Sequence, residues 1–150
     1  MIRSIVVAFA IGLVAATAGH AADSKPHRVA IQVDQNDPAV MNLALNNAQN
    51  LIDYYRNKGE DVDVEIVAYG PGLNMLRADT SPVKDRIAHM ASSDATFPSK
   101  LAFSACNNTL KAMERNEGHD ITIIPQAKIV PAGVVRLSEL QERGWSYIRP

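Results

Sequence analysis

The residue with the most chemical potential is Cys106, the only cysteine in the chain. It lies in FSACNNTL, residues 103–110, where an apolar run ends and a helix-like segment begins. A cysteine just before a helix start faces free backbone N–H groups and a partial positive charge. Both favour the thiolate, which is the nucleophile and the form that carries sulfur. Asn107, Asn108 and Thr109 follow; short polar residues suit capping and hydrogen bonding around a sulfur. The same position also suits a small buried hydrophobe, with Ala105 and Leu110 as core neighbours, because free cysteine is among the most buried residue types. Position alone leaves both readings open.

The other candidates are weaker. His27, His89 and His119 stand apart from Cys106 and from one another, with no motif that supplies a base to the cysteine. Their spacing offers no metal set, and a lone cysteine makes a zinc site improbable, so no metal or cofactor is expected. Gly70-Pro71-Gly72 follows an apolar run, where glycines let backbone N–H groups approach an anion. It lacks the GxGxxG spacing and a phosphate-binding lysine, which favours a plain tight turn, leaving Gly70 and Gly72 as minor loop candidates.

The elements around these residues alternate between strand and helix. Strands are expected at 28–33, 62–69, 100–105 and 121–124, with a short segment at 128–130 and a terminal one at 145–148. Asp37-Pro38 is a helix start, with aspartate as N-cap and proline in the first turn. Val40, Met41, Ala44, Leu45, Ala48, Leu51, Ile52 and Tyr55 then recur at spacings of three and four, and Lys58-Gly59 closes the helix. Asn42, Asn46, Asn47 and Asn50 make an amide-rich face, either solvated or turned to a partner subunit. A helical turn at 73–77 and further helices at 83–92, 107–116 and from Val134 to Gly144 complete the pattern. Such alternation predicts an α/β fold: a mostly parallel sheet of about five strands with helices on both faces, doubly wound. In such a sheet ligands gather beyond the carboxyl ends of the strands, where Cys106 is expected.

The N-terminus reads as a secretory leader. Arg3 supplies a positive start, residues 5–16 form an apolar stretch too short to span a bilayer, and Gly19-His20-Ala21 is a cleavage box. Cleavage after Ala21, or after Ala22, would deliver residues 22–150 to the periplasm as a single domain, without membrane attachment. An exported chain with one cysteine cannot pair it internally, so the thiol is buried, linked to another chain, or reactive. The formal net charge of −1 and the absence of a basic stripe argue against nucleic acid as a partner.

With these residues in place, the chain resembles the exported single-domain members of the DsrE/DsrF-like family. The matching stretches are VAIQV, LALNNAQNLIDYY, VDVEIVAYGPGLNML, FSACNNTLKAM and IVPAGVVRLSELQERGWSYIRP, in that order along residues 29–150. The resemblance implies a doubly wound α/β domain that assembles into homo- or hetero-oligomers. It also implies that Cys106 carries sulfane sulfur as a persulfide and passes it to an acceptor thiol on a partner, with no cofactor. The alternative is a non-catalytic oligomeric module in which Cys106 is structural. The sulfur-relay members are cytoplasmic and have small apolar residues after the cysteine, where this chain has a leader and Asn107-Asn108-Thr109.

Overall fold

The computed structural model describes residues 26–93 and 99–150; the leader at 1–21 lies outside them. The elements run β1 (His27–Val33), α1 (Pro38–Asn57), β2 (Val62–Ala68), a 3₁₀ helix (Gly70–Leu76), α2 (Lys84–Ser93), β3 (Lys100–Cys106), α3 (Asn107–Glu117), β4 (Ala127–Val130), α4 (Gly133–Glu142) and β5 (Ser146–Ile148). The five strands form one sheet in the order β4-β3-β2-β1-β5. Every pair is parallel.

That order explains where the helices lie. From β1 to β2, β3 and β4 the chain steps steadily in one direction, and right-handed crossovers put α1, α2 and α3 on one face. From β4 it must return past the whole sheet to reach β5 beyond β1, so α4 lies on the opposite face. Two apolar cores result. Val29, Ile31, Val33, Val64, Ile66, Phe103 and Ala105 pack with Met41, Leu45, Ala48 and Ile52 of α1, Ile87 of α2 and Leu110 of α3. Ala30 and Val67 pack with Leu137 and Leu140 of α4, with Tyr69 and Trp145 at the margin. Burial on both faces is why β1 and β2 read as nearly continuous apolar runs.

The helix α1 forms as its sequence dictates. Asp37 Oδ1 accepts from Ala39 N–H at 2.7 Å, Pro38 occupies the first turn, and Gly59 beyond the end adopts φ +70°. Burying each of its large side chains contributes roughly 1.5–3 kcal/mol. Half of the amide row is spoken for: Arg86 of α2 donates to Asn42 Oδ1 at 2.7 Å and to Asn46 Oδ1 at 2.6 Å. Those asparagines hold α2 against α1.

One expected strand is absent. Residues 121–124 make a single antiparallel bridge, Ile123 to Arg77, and lie outside the sheet. Their backbone bonds instead to the segment after the 3₁₀ helix, Ala78 N–H to Thr122 O and Ile124 N–H to Leu76 O, both at 2.9 Å. Ile121 and Ile124 are still buried in the first core. The place beside β3 goes to Ala127–Val130, which pairs with Phe103–Cys106.

Candidate functional site

Cys106 is the last residue of β3 and sits in the N-cap position of α3, with extended backbone angles of φ −69° and ψ 115°. Its neighbour across the sheet is Val130, the last residue of β4. The chain leaves β3 for α3 on one face and leaves β4 for α4 on the other. The crevice between β3 and β4 is therefore the topological switch point, the place where an open parallel sheet leaves room for a ligand. Cys106 ends β3 at this point, α3 starts from it, and α4 starts just beyond the end of neighbouring β4.

Neither helix start is closed by a side chain. Cys106 makes no regular capping hydrogen bond at α3, and Ala132, the N-cap of α4, has no side chain able to make one. The first N–H groups of both helices are thus not taken up by capping side chains, although that of Asn108 reaches the Pro131 carbonyl. Burial pushes the Cys106 thiol up, because a buried anion is poorly solvated. The Thr109 hydroxyl and the backbone N–H groups of Thr109, Gly133 and Asn108 outweigh burial and hold the thiol below its ordinary value. The residue as a whole is only 5% exposed.

Three chain segments are tied together around Cys106. Thr109 Oγ1 accepts from Gly70 N–H at 2.9 Å, so the hydroxyl joins the loop after β2 to the sulfur after β3. Gly70 needs its glycine, with φ +53°. Asn108 N–H also reaches Pro131 O at 3.3 Å, which ties the start of α3 to the loop before α4. Gly133 lies against Tyr69: a Cβ there would stand 2.8 Å from Tyr69 Cβ, so only glycine lets α4 start this close.

The structure thus brings together Cys106, Thr109, the backbone of Asn108 and, one hydrogen bond away, Gly70. It does not bring in the others. Asn107 is half-buried and Asn108 turns its amide to solvent. Gly72 packs under the end of β1, where a Cβ would lie 2.3 Å from Val33 O; its role is close packing. Gly133 is a residue that sequence reasoning did not assign to the site. Pro131-Ala132-Gly133 reads as a turn launching a helix, which it is; nothing local shows that this helix starts beside Cys106.

Below the crevice, on the α4 face, Glu65 is buried against Arg136, Ser104 and Lys128. Exposed Val134, Val135 and Ile129 lie around the same end of the sheet. Among the described residues no three His, Cys, Asp or Glu side chains converge as a metal set, and no helix is long and apolar enough to cross a membrane.

No family model matches the chain, and no curated protein matches it. Among solved structures it is similar to MTH1491 of Methanobacterium thermoautotrophicum, a protein of unknown function, with a TM-score of 0.68 and 31% sequence identity. The similarity covers 83% of this chain and 99% of the archaeal one. At that identity over nearly the whole archaeal chain, the present protein belongs to the same family as MTH1491.

Proposed function

We propose that the protein is a DsrE/DsrF-like sulfur carrier of the periplasm, with Cys106 as the carrying residue. One observation supports this above the others: a sulfur at the switch point of a parallel sheet faces the uncapped starts of two helices and a threonine hydroxyl. A core cysteine needs none of these donors. They lower the cost of the anion, and the anion is what sulfur transfer requires.

The chemistry needs no cofactor. Cys106 thiolate attacks the sulfane sulfur of a donor persulfide or polysulfide. A new S–S bond forms on Cys106, the donor's S–S bond breaks, and the donor leaves as a thiolate. In the second step an acceptor thiolate attacks the outer sulfur of the Cys106 persulfide. The S–S bond on Cys106 breaks, the acceptor becomes the persulfide, and the Cys106 thiolate returns. Sulfur moves with no net oxidation or reduction. The exposed Val134, Val135 and Ile129 suit docking of a protein donor or acceptor, or of further copies of the chain, at that end of the sheet.

A second reading has its own observation. At 5% exposure Cys106 is as buried as the core residues around it, which suits a structural thiol in a non-catalytic oligomeric module. One experiment separates the two. The protein without residues 1–21 is treated with polysulfide and its intact mass recorded, alongside alkylation across a pH series in the native state. A gain of sulfur mass that Cys106→Ser abolishes, with alkylation beginning below the ordinary thiol range, supports the carrier. A thiol silent until denaturant is added refutes it and leaves the structural reading.

A further inference from the structure

One buried, hydrogen-bonded ionisable group is not used by the transfer chemistry. Glu65, in the middle of β2, is 2% exposed on the face covered by α4. Its Oε1 accepts from Arg136 Nε at 2.7 Å and from Ser104 Oγ at 2.6 Å. Its Oε2 accepts from Arg136 Nη2 at 2.7 Å, with Lys128 Nζ at 3.6 Å. Three side chains, from β3, β4 and α4, thus meet at one carboxylate of β2.

As a source of stability this is a poor choice. Burying the ions is costly, and an apolar pair of similar volume would often hold the helix as well or better. What a bidentate arginine–carboxylate fork offers is direction: two parallel bonds fix both the distance and the rotation of the element carrying the arginine. That element is the first turn of α4. Arg136 stands three residues after Gly133, and its own N–H bonds to Ala132 O at 3.0 Å. The other anchors point the same way. Ser104 is two residues before Cys106 on the same side of β3. Lys128 is the register partner of Ser104, as Val130 is of Cys106.

We propose that the Glu65–Arg136 pair is a positioning device for the cysteine: it fixes the first turn of α4 on the sheet so that this helix start, with the Gly133 N–H, stays beside Cys106. Glu65 and Arg136 are positioning residues, acting through Gly133. The inference rests on the reading of Cys106 as a working thiolate and adds how its environment is held.

The sign of one substitution tests it. Glu65→Gln keeps the shape of the side chain and removes its charge. If Glu65 acted on the sulfur only as a nearby charge, losing a negative group and freeing Arg136 would ease ionisation of Cys106. If it positions α4, the fork weakens, the Gly133 N–H drifts, and ionisation becomes harder. The measurements are the pH profile of Cys106 alkylation and the pH titration of the Gly133 amide shift by NMR, with a urea midpoint on the same sample. The expected result for E65Q is a profile moved to higher pH, a several-fold lower rate near neutrality, and a Gly133 amide that no longer follows the thiol. A folded E65Q with an unmoved profile, or one moved to lower pH, overturns the proposal. Should E65Q fail to fold, Arg136→Lys keeps the charge and loses the fork. It is expected to move the profile upward, and an unmoved profile there overturns the proposal equally. If the wild-type chain takes up no sulfur yet its Gly133 amide titrates with Cys106, the carrier reading fails while the positioning stands.

Discussion

Thr109→Val examines the candidate site at its smallest movable part. The substitution keeps the branched shape and removes one hydroxyl, which in the native protein accepts from Gly70 N–H at 2.9 Å and acts on the Cys106 sulfur. A hydrogen bond to a charged group contributes about 1.5–3 kcal/mol. Removing it shifts the thiol–thiolate balance by roughly tenfold to a hundredfold, at 1.36 kcal/mol per factor of ten. The rate falls less than that, because a more basic thiolate is more nucleophilic, with a Brønsted coefficient of about 0.4–0.5. Well below the thiol's pKa, alkylation of T109V should therefore be about threefold to tenfold slower than wild type, and the profiles should cross at high pH, where both thiols are ionised and the more basic T109V thiolate reacts faster. The lost acceptor also leaves Gly70 N–H unpaired, at about 1 kcal/mol of stability for a half-buried group. Alkylation is followed by mass spectrometry under native conditions, with a urea titration as control. Thr109→Ser, which keeps the hydroxyl, should restore most of the rate. A T109V profile that overlays wild type would refute the claim that this hydroxyl stabilises the anion, even if stability falls as expected.

Because the folded protein holds the Cys106 thiol below its ordinary value, the folded state binds fewer protons than the unfolded state between the two pKa values. Stability from this source should therefore grow as pH rises through the folded value and be complete above about 8.5. The urea-stability gap between wild type and Cys106→Ser should widen over that window, and a gap that is flat or narrows with pH would contradict it. Gly72→Ala places a Cβ 2.3 Å from the Val33 carbonyl oxygen, a backbone atom with little room to yield. It should cost about 1–3 kcal/mol or more by urea titration, while the alkylation profile of Cys106 in the folded protein stays as in wild type. At the far end of the fold, the buried Arg77 guanidinium holds the Asp79 carboxyl down to about 2. This stabilisation is lost as pH falls below the ordinary carboxylate range towards 2, so Asp79→Asn should flatten the acid limb of the stability curve; an unchanged limb would argue against the pair.

Much of this architecture was legible in the sequence because it is written in local patterns. The three- and four-residue spacing of Met41, Ala44, Leu45, Ala48 and Ile52 determined α1, and Asp37-Pro38 set where it begins. The continuous apolar runs of β1 and β2 told of burial on both faces, hence of a parallel sheet. The fall from FSA to CNNT located Cys106 at a strand end and a helix start. Local pattern failed where an apolar run had two uses: residues 121–124 are as strand-like as any, yet the edge of β3 was taken by residues 127–130, with two exposed residues out of four. Propensity cannot say which of two neighbouring segments wins a sheet edge, because the decision depends on the length of the connection from α3 and on pairing with the segment after the 3₁₀ helix.

What only the tertiary structure decided is the company Cys106 keeps. Its own sequence neighbours supply Thr109 and the N–H groups of α3, and these follow from position. The contribution of Gly133 depends on the chain crossing to the other face of the sheet after β4, so that a second helix starts beside the first. The contribution of Gly70 depends on β2 and β3 being neighbours in register. The salt bridge from Glu65 to Arg136 joins residues 71 positions apart. In the sequence Glu65 is a single charge inside an apolar strand and Arg136 one of many surface-type arginines. A buried charge can be tolerated only where its partner arrives in space, and that arrival is a property of strand order, which no local spacing encodes.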